Sequence, residues 1–92
     1  MSKFEWNELK RQINLQKHGI DFIDCFLVFD GRPIYSFLSS QSEDEKRWVS
    51  ICLLNSKEIA TIWTRREPDI IRIISMRRAR NEERKKYHEL YS

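Results

Sequence analysis

Glycine, proline and cysteine are scarce in this chain of 92 residues, which contains two of each. The low glycine and proline content, with an apolar fraction of 40%, excludes a disordered chain and predicts one compact core. Cys25 and Cys52 lie in apolar segments without metal-ligand spacing, so we interpret both as small buried apolar residues. We expect a single domain over residues 1–92.

The sequence also lacks an apolar run long enough to cross a membrane, and its charged N-terminus is unlike a signal peptide. We therefore expect a cytoplasmic protein without a membrane partner. No group of potential metal ligands has a recognisable spacing, and the two histidines are seventy residues apart. This pattern predicts that the protein uses no metal ion and no other cofactor.

Charge is distributed unevenly, although the net charge is only +3. Residues 1–20 contain four basic and two acidic residues, residues 21–64 contain four and seven, and residues 65–92 contain nine and five. Basic ends around an acidic middle suggest an anionic partner. A salt-bridged surface without a partner would produce the same pattern, so charge alone leaves both interpretations open.

Local signals predict a strand and two helices in the N-terminal third. Residues 4–6 alternate apolar and polar, which indicates a short strand. Asn7 is a suitable N-cap and Gly19 a suitable stop, so a first helix should cover about residues 8–17. Asp21 is a second candidate N-cap, and helical spacing of the following apolar residues predicts a second helix that ends near residue 30.

Strands dominate the rest of the chain. They are predicted over residues 33–38, 47–54, 59–65 and 70–76, with a polar, acidic loop over 39–46 and a last helix over about 79–90. The order β-α-α-β-β-β-β-α predicts an α+β domain with an antiparallel sheet, two N-terminal helices on one face and a C-terminal helix. The opposite face would be free to bind a ligand.

Five arginines fall within thirteen residues near the end of the chain: Arg72, Arg77, Arg78, Arg80 and Arg84. The planar guanidinium group suits phosphate. Arg72 is flanked by apolar residues in mid-strand, where it would either bind phosphate or pair with a carboxylate. Regular alternation places Arg78 on the same face as Arg72, whereas a β-bulge would place Arg77 there.

Two motifs resemble the BrnT toxins, and together they cover nearly the whole chain. The first is Phe4-Glu5-Trp6-Asn7, then Lys10, Asn14, Lys17-His18-Gly19 and Val28-Phe29-Asp30. The second is Arg72-Ile73-Ile74-Ser75, then Arg77, Ala79, Glu83-Arg84 and Tyr87. The resemblance itself favours Arg77 over Arg78 as the functional residue.

The resemblance implies a small ribonuclease toxin of a type II toxin–antitoxin module, with a fold similar to that of the RelE toxins. Such a protein cleaves RNA, inhibits translation and arrests growth. A BrnA-like antitoxin with a ribbon-helix-helix part would neutralise it, and the chain would meet DNA only indirectly, through that antitoxin.

Four positions depart from the family pattern. Met76 replaces a usual Ala, and Cys52 replaces a common Gly. Arg80 replaces a Thr or Ser that would cap the last helix, which puts the start of that helix in doubt. Glu58 lies near a usual turn Arg, which removes one candidate phosphate ligand.

RNA cleavage without a metal can use the 2′-hydroxyl of the substrate as nucleophile, which requires proton transfer and cations that stabilise the phosphorane. The predicted catalytic residues are Arg72, Arg77, His18, Glu83 and Tyr87. The predicted RNA-binding residues are Lys17, Arg47, Arg65, Arg78 and Trp48.

Each of these residues also has a purely structural interpretation. His18 can bind helix-terminal carbonyls, Glu83 can pair with an arginine and Tyr87 can pack under the last helix. A non-catalytic RNA- or antitoxin-binding module acting as co-repressor needs the same basic surface, and this is the alternative function.

Overall fold

The computed structural model describes residues 3–40 and 44–91. Its elements are β1 (Lys3–Glu5), α1 (Glu8–His18), a 3₁₀ helix (Phe22–Leu27), β2 (Tyr35–Leu38), β3 (Trp48–Leu54), β4 (Lys57–Glu67), β5 (Ile70–Arg78) and α2 (Asn81–Tyr91). The five strands form one sheet in the order β1-β5-β4-β3-β2. The fold is therefore α+β. Part of the loop predicted over residues 39–46 lies outside the described residues.

The prediction of a purely antiparallel sheet is wrong, because β1 pairs with β5 in parallel. The other neighbouring strands are antiparallel, as short turns between consecutive strands require. β1 lies beside a strand that follows it by more than sixty residues, with no tight turn to impose a direction. Sequence signals at turns therefore carried no information about this pair.

Helix α1 has the ends that its flanking residues predict. The Asn7 side chain accepts a hydrogen bond from the backbone of Lys10, 3.0 Å away, and Glu8 lies at the positive end of the helix. Gly19 follows with a φ of 70°, and its N–H donates to the carbonyl of Leu15. A left-handed conformation of this kind favours glycine and ends the helix.

The second predicted α-helix is instead the 3₁₀ helix. Phe22, Cys25 and Val28 recur every three residues, the period of a 3₁₀ helix, and all three are buried. Ile23 and Phe26, which the helical pattern also counted as core residues, are about half exposed, at 47% and 53%. The fully buried residues are thus those spaced by three, and the α-helical period expected from the sequence is wrong for this segment.

Core residues lie on both faces of the sheet, so the expectation that only one face is covered is wrong. One cluster joins the 3₁₀ helix to buried side chains of β3, β4 and β5 such as Cys52, Ile59 and Met76. The other cluster joins Ile51 and Ala60 to Tyr87 of α2. Helix α2 packs mainly on β2 and β3, and no described helix covers the part of this second face around Ile62 and Ser75.

Helix α1 packs along β5 and does not cover a sheet face with apolar side chains. Its buried residue is the polar Asn14, whereas Leu9 and Ile13 are exposed. The expectation that both N-terminal helices supply the apolar cover is therefore wrong for α1.

Both cysteines are buried free thiols, as the sequence predicts. Burial raises the pKa of each to about 11, so neither is a reactive thiolate. In the described part of the chain, neither α-helix has the length and apolarity that spanning a bilayer requires.

A basic cavity on the open part of the sheet

A β-bulge in β5 decides which arginine faces the open part of the sheet. Ile62 of β4 pairs with Ser75, but Trp63 pairs with Ile73, so Ile74 is an extra residue in β5. Without the bulge, alternation from Arg72 would select Arg78. The bulge shifts the alternation by one residue and places Arg77 on the face of Arg72.

The residues of β4 that pair with β5 show the same assignment. Ala60, Ile62 and Thr64 alternate along one face of β4, and they pair with Arg77, Ser75 and Arg72. Paired residues of an antiparallel ladder share a face. Arg78 pairs with Ile59, whose side chain belongs to the opposite face.

A cavity of about 260 Å³ opens on this face between β3, β4, β5 and the start of α2. Its cationic and hydroxyl groups belong to Arg47, Arg77, Arg80, Ser39, Ser40 and Ser75. Its apolar residues are Phe37, Val49, Ile62 and Ile74. Among the described lining residues, three guanidinium groups face one carboxylate, that of Glu83, so this lining is electropositive, with an apolar floor.

Glu83 holds Arg77 in place within this cavity. Nη1 of Arg77 donates to Oε1 of Glu83 at 2.8 Å, and Nη2 donates to Oε2 at 3.0 Å. Burial alone would raise the pKa of Glu83, but hydrogen bonds from Arg77 and from the Arg80 backbone hold that pKa below its ordinary value. Glu83 is therefore charged at neutral pH and pairs with an arginine, which agrees with the structural interpretation of this residue.

The start of α2 retains half of a capping box despite Arg80. The helix begins at Asn81, and Oε1 of Glu83 accepts a hydrogen bond from the Arg80 N–H at 2.7 Å. This is the return bond that a Glu three residues after the cap makes. The doubt raised by Arg80 is thereby resolved, and the helix starts two residues later than predicted.

A second cavity of about 200 Å³ adjoins the first across the bulge. Lys10, Lys17 and His18 of α1 line it, together with Ile13 and Asn14. Ile74 and Ser75 line both cavities. The lysine- and histidine-lined cavity therefore shares the bulge residues with the arginine-lined one, and we call the two neighbouring cavities together the basic groove.

Among the other predicted catalytic residues, Arg72 and Tyr87 lie apart from this groove. Nη1 of Arg72 is 3.4 Å from Oε2 of Glu5, so the carboxylate pairing foreseen for it occurs. Tyr87 is buried under α2, and its hydroxyl donates to the carbonyl of Pro33 at 3.2 Å. Burial raises the pKa of Tyr87, which opposes its ionisation. Catalytic roles for these two residues stay predictions.

Three predicted RNA-binding residues lie on the opposite face of the sheet. Trp48 stacks on Trp63, with ring centroids 6.3 Å apart, and packs against the core. Arg65 lies over the ring of Trp63, with its Nη1 donating to a backbone carbonyl. Arg78 is 3.8 Å from Glu58 and lines a third cavity, which shares His18 with the second one but contains none of the residues that line the cavity around Arg77. The structure therefore does not bring them together with Arg77.

Sequence reasoning missed Asn14 and Ser75 as site residues, although both stand in the quoted motifs. Asn14 is 7% exposed and binds the backbone of β5, whereas Ser75 lines both cavities. Helical periodicity could not identify Asn14, because a polar residue on a mostly polar helix carries no signal of burial. The burial of Asn14, next to the exposed Ile13, is evident only from the packing of α1 against β5.

The described residues contain no group of three or more His, Cys, Asp or Glu side chains arranged to hold a metal ion. The same residues, 3–40 and 44–91, offer cations and hydroxyls at the groove instead. Such groups bind anions and stabilise developing negative charge on oxygen. The arrangement is therefore suited to a phosphate-containing ligand.

Comparison with known proteins assigns the chain to a family. Residues 6–83 match the profile of the family described as ribonuclease toxin, BrnT, of type II toxin–antitoxin systems. The crystal structure of the Brucella abortus ribonuclease toxin BrnT superposes with a TM-score of 0.71 at 32% identity, over 88% of this chain and 100% of that one. No curated protein matches the sequence significantly. The chain belongs to the BrnT family of ribonuclease toxins of type II toxin–antitoxin systems.

Proposed function

We propose that this chain is a metal-independent endoribonuclease whose cleavage site is the basic groove, and that it inhibits translation and growth when it is free of its antitoxin. The observation that carries the proposal is the convergence of three arginines around one hydroxyl-lined cavity. Family membership supplies the general activity, a ribonuclease toxin. The groove supplies residues for each requirement of metal-free cleavage.

The reaction begins with attack of a ribose 2′-oxygen on the adjacent phosphorus and ends with rupture of the bond to the 5′-oxygen. Negative charge develops on the phosphorane oxygens between these steps. Arg77 and Arg80, with Arg47 opposite them, would neutralise this charge from two sides of the cavity. Arg77 is already oriented by Glu83, so little ordering of its side chain is required on binding.

Proton transfer falls to the α1 side of the groove. The 2′-hydroxyl must lose a proton, and the leaving 5′-oxygen must gain one. His18 lines the same cavity as Ile74 and Ser75, and imidazole commonly transfers protons near neutral pH. Lys17, in the same cavity, would attract the RNA backbone. In this proposal Glu83 positions Arg77 and is not the general base.

An antitoxin partner and an RNA substrate follow from the family, and we propose further that the partner is a BrnA-like ribbon-helix-helix protein. An acidic amphipathic segment would complement the basic groove and block RNA access by covering it. Contact with DNA would then be made by the antitoxin. Co-expression of the neighbouring gene should restore growth and protect RNA from cleavage.

The alternative, a non-catalytic RNA- or antitoxin-binding co-repressor, is favoured by one observation. Both terminal nitrogens of the Arg77 guanidinium group donate to the carboxylate of Glu83, as they would if Arg77 had a purely structural role. Cleavage of purified RNA discriminates between the two functions, since both bind RNA but only the enzyme shortens it.

The test uses purified protein and single-stranded RNA in the presence of EDTA. Cleavage should persist in EDTA, Arg77→Ala should remove it, and Arg78→Ala should not. The two variants are matched, since these adjacent arginines lie on opposite faces of β5. RNA that stays intact with wild-type protein would contradict the proposed enzyme activity. Cleavage that requires a metal would contradict the proposed metal independence.

A further inference from the structure

Strand β5 loses its strand neighbour at the point where the site begins. β1 pairs only with the first three residues of β5, Ile70 to Arg72. Beyond Arg72 this edge of β5 is bordered by α1, whose buried residue is Asn14. Backbone groups on a buried edge need hydrogen-bond partners.

The Asn14 side chain takes the place of a neighbouring strand. Its Nδ2 donates to the carbonyl of Met76 at 2.8 Å and to the carbonyl of Ile20 at 3.1 Å. Its Oδ1 accepts from the N–H of Met76 at 3.3 Å and from the Ser75 hydroxyl at 3.4 Å. Both donors and both acceptor positions of the amide are thus used.

Met76 lies at a sensitive place in β5. It directly follows the bulge at Ile74 and Ser75, and it directly precedes Arg77. Met76 itself is fully buried on the opposite face from Arg77. A shift of one residue exchanges the two faces of a strand. The hydrogen bonds from Asn14 to Met76 therefore also determine the face on which Arg77 lies.

We propose that Asn14 is a positioning residue for the cleavage site. Its amide holds Met76 at a fixed position after the bulge, so that Arg77 rather than Arg78 faces the cavity. The same bonds hold α1 against β5, which places Lys17 and His18 across Ser75 from Arg77. This inference rests on the proposed ribonuclease function and deepens it by naming what aligns the two halves of the groove.

Two substitutions of Asn14 remove some or all of these hydrogen bonds and leave the cationic residues of the groove unchanged. Asn14→Ala deletes all four hydrogen bonds. Asn14→Asp keeps the shape and can still accept from Met76 and Ser75, but it presents a carboxylate oxygen to the carbonyls of Met76 and Ile20. The matched control is Ser50→Ala on the opposite face, where the buried Ser50 hydroxyl accepts from Nε1 of Trp63 at 2.8 Å.

All three variants should unfold at lower temperatures than the wild type, so activity is compared where each is folded by circular dichroism. At saturating RNA, both Asn14 variants should cleave about tenfold to a hundredfold more slowly, because small displacements in a catalytic site have effects of this size. The affinity of Asn14→Ala for RNA should stay within about threefold, since the surface cations remain, whereas Asn14→Asp adds a carboxylate beside them and should bind RNA more weakly. Ser50→Ala should cleave within about twofold of the wild type, as a distant site should.

A second readout is independent of cleavage. Phenylglyoxal modifies accessible arginines, and mass spectrometry resolves Arg77 from Arg78. In the wild type Arg77, 19% exposed and bound by Glu83, should react more slowly than Arg78, which is 51% exposed. The difference should shrink or reverse in the Asn14 variants and persist in Ser50→Ala.

A wild-type cleavage rate, or an unchanged arginine pattern, in a folded Asn14 variant overturns the proposal. If wild-type protein itself leaves RNA intact, the ribonuclease proposal fails, and the arginine pattern still decides whether Asn14 sets the position of Arg77.

Discussion

Glu83 binds Arg77 through both carboxylate oxygens, at 2.8 and 3.0 Å, and uses one of these oxygens to cap α2. The pair joins the last residues of β5 to the first turn of the following helix. The two side chains are only 11% and 19% exposed, so solvent screens the interaction little. Several properties of the protein should depend on this contact.

Glu83→Gln should destabilise the fold by about 2 kcal/mol, because it removes a charged acceptor from a mostly buried arginine. The same change should slow RNA cleavage, since Arg77 would lose its orientation. Urea unfolding measures the first effect and a single-turnover RNA assay the second. Glu82→Gln, one residue earlier and exposed in the same helical turn, should alter neither.

Acid should weaken the fold in a window that begins near pH 4.5. The pKa of Glu83 is lowered from its ordinary value of 4.5, so its contribution is complete above that pH and is lost as the pH falls through the lower folded value. Glu58, hydrogen-bonded to His88, and Asp30, bound by Arg32 with a pKa of about 2, act in the same direction. Unfolding free energies measured from pH 7 to pH 2 should fall, and the fall should be smaller in Glu83→Gln. A stability that rises on acidification would contradict this assignment.

The two histidines provide a matched test of proton transfer. His18→Ala should slow RNA cleavage by at least about a hundredfold if His18 is a general acid or base. His88→Ala should leave cleavage near the wild-type rate, because His88 is engaged with Glu58, with Nε2 and Oε2 2.6 Å apart. Equal rates for His18→Ala and wild type would assign proton transfer to another group.

Two threonines of β4 should respond oppositely to the same substitution. The hydroxyl of Thr61 is buried and has no hydrogen-bond partner among the described residues, whereas the hydroxyl of Thr64 donates to the carbonyl of Lys46 at 2.7 Å. Thr61→Val should therefore stabilise by about 1 kcal/mol, and Thr64→Val should destabilise by about the same amount. Thermal unfolding of the pair measures this directly, and a loss of stability in Thr61→Val would indicate a bound water at that hydroxyl.

The β3–β4 turn contains two residues in the left-handed region. Asn55 and Ser56 have φ angles of 52° and 65°, as a two-residue type I′ hairpin requires. Asn tolerates this conformation better than Ser, and glycine adopts it without strain. Ser56→Gly should thus stabilise by about 0.5 kcal/mol, while Asn55→Ala should destabilise by about 1 kcal/mol. A destabilised Ser56→Gly would show that chain entropy outweighs the strain.

Much of the fold follows from local sequence signals, because these act over a few residues. Asn7 and Gly19 set the ends of α1, the turn at residues 55–56 joins two antiparallel strands, and apolar runs produce β3, β4 and β5 close to the predicted positions. The motif residues around Arg77 and Glu83 identified the family for the same reason, since they are read directly from the chain.

Other features depend on contacts between distant segments. The parallel pairing of β1 with β5, the burial of Asn14 and the spread of core over both sheet faces each join residues far apart in the chain. The site depends on them most of all. Sequence alone determined that a cluster of arginines lies near the end of this chain, but alternation within one strand could not choose between Arg77 and Arg78. The bulge in β5, formed against β4 and bounded by the amide of Asn14, made that choice, because strand register is set by neighbouring elements.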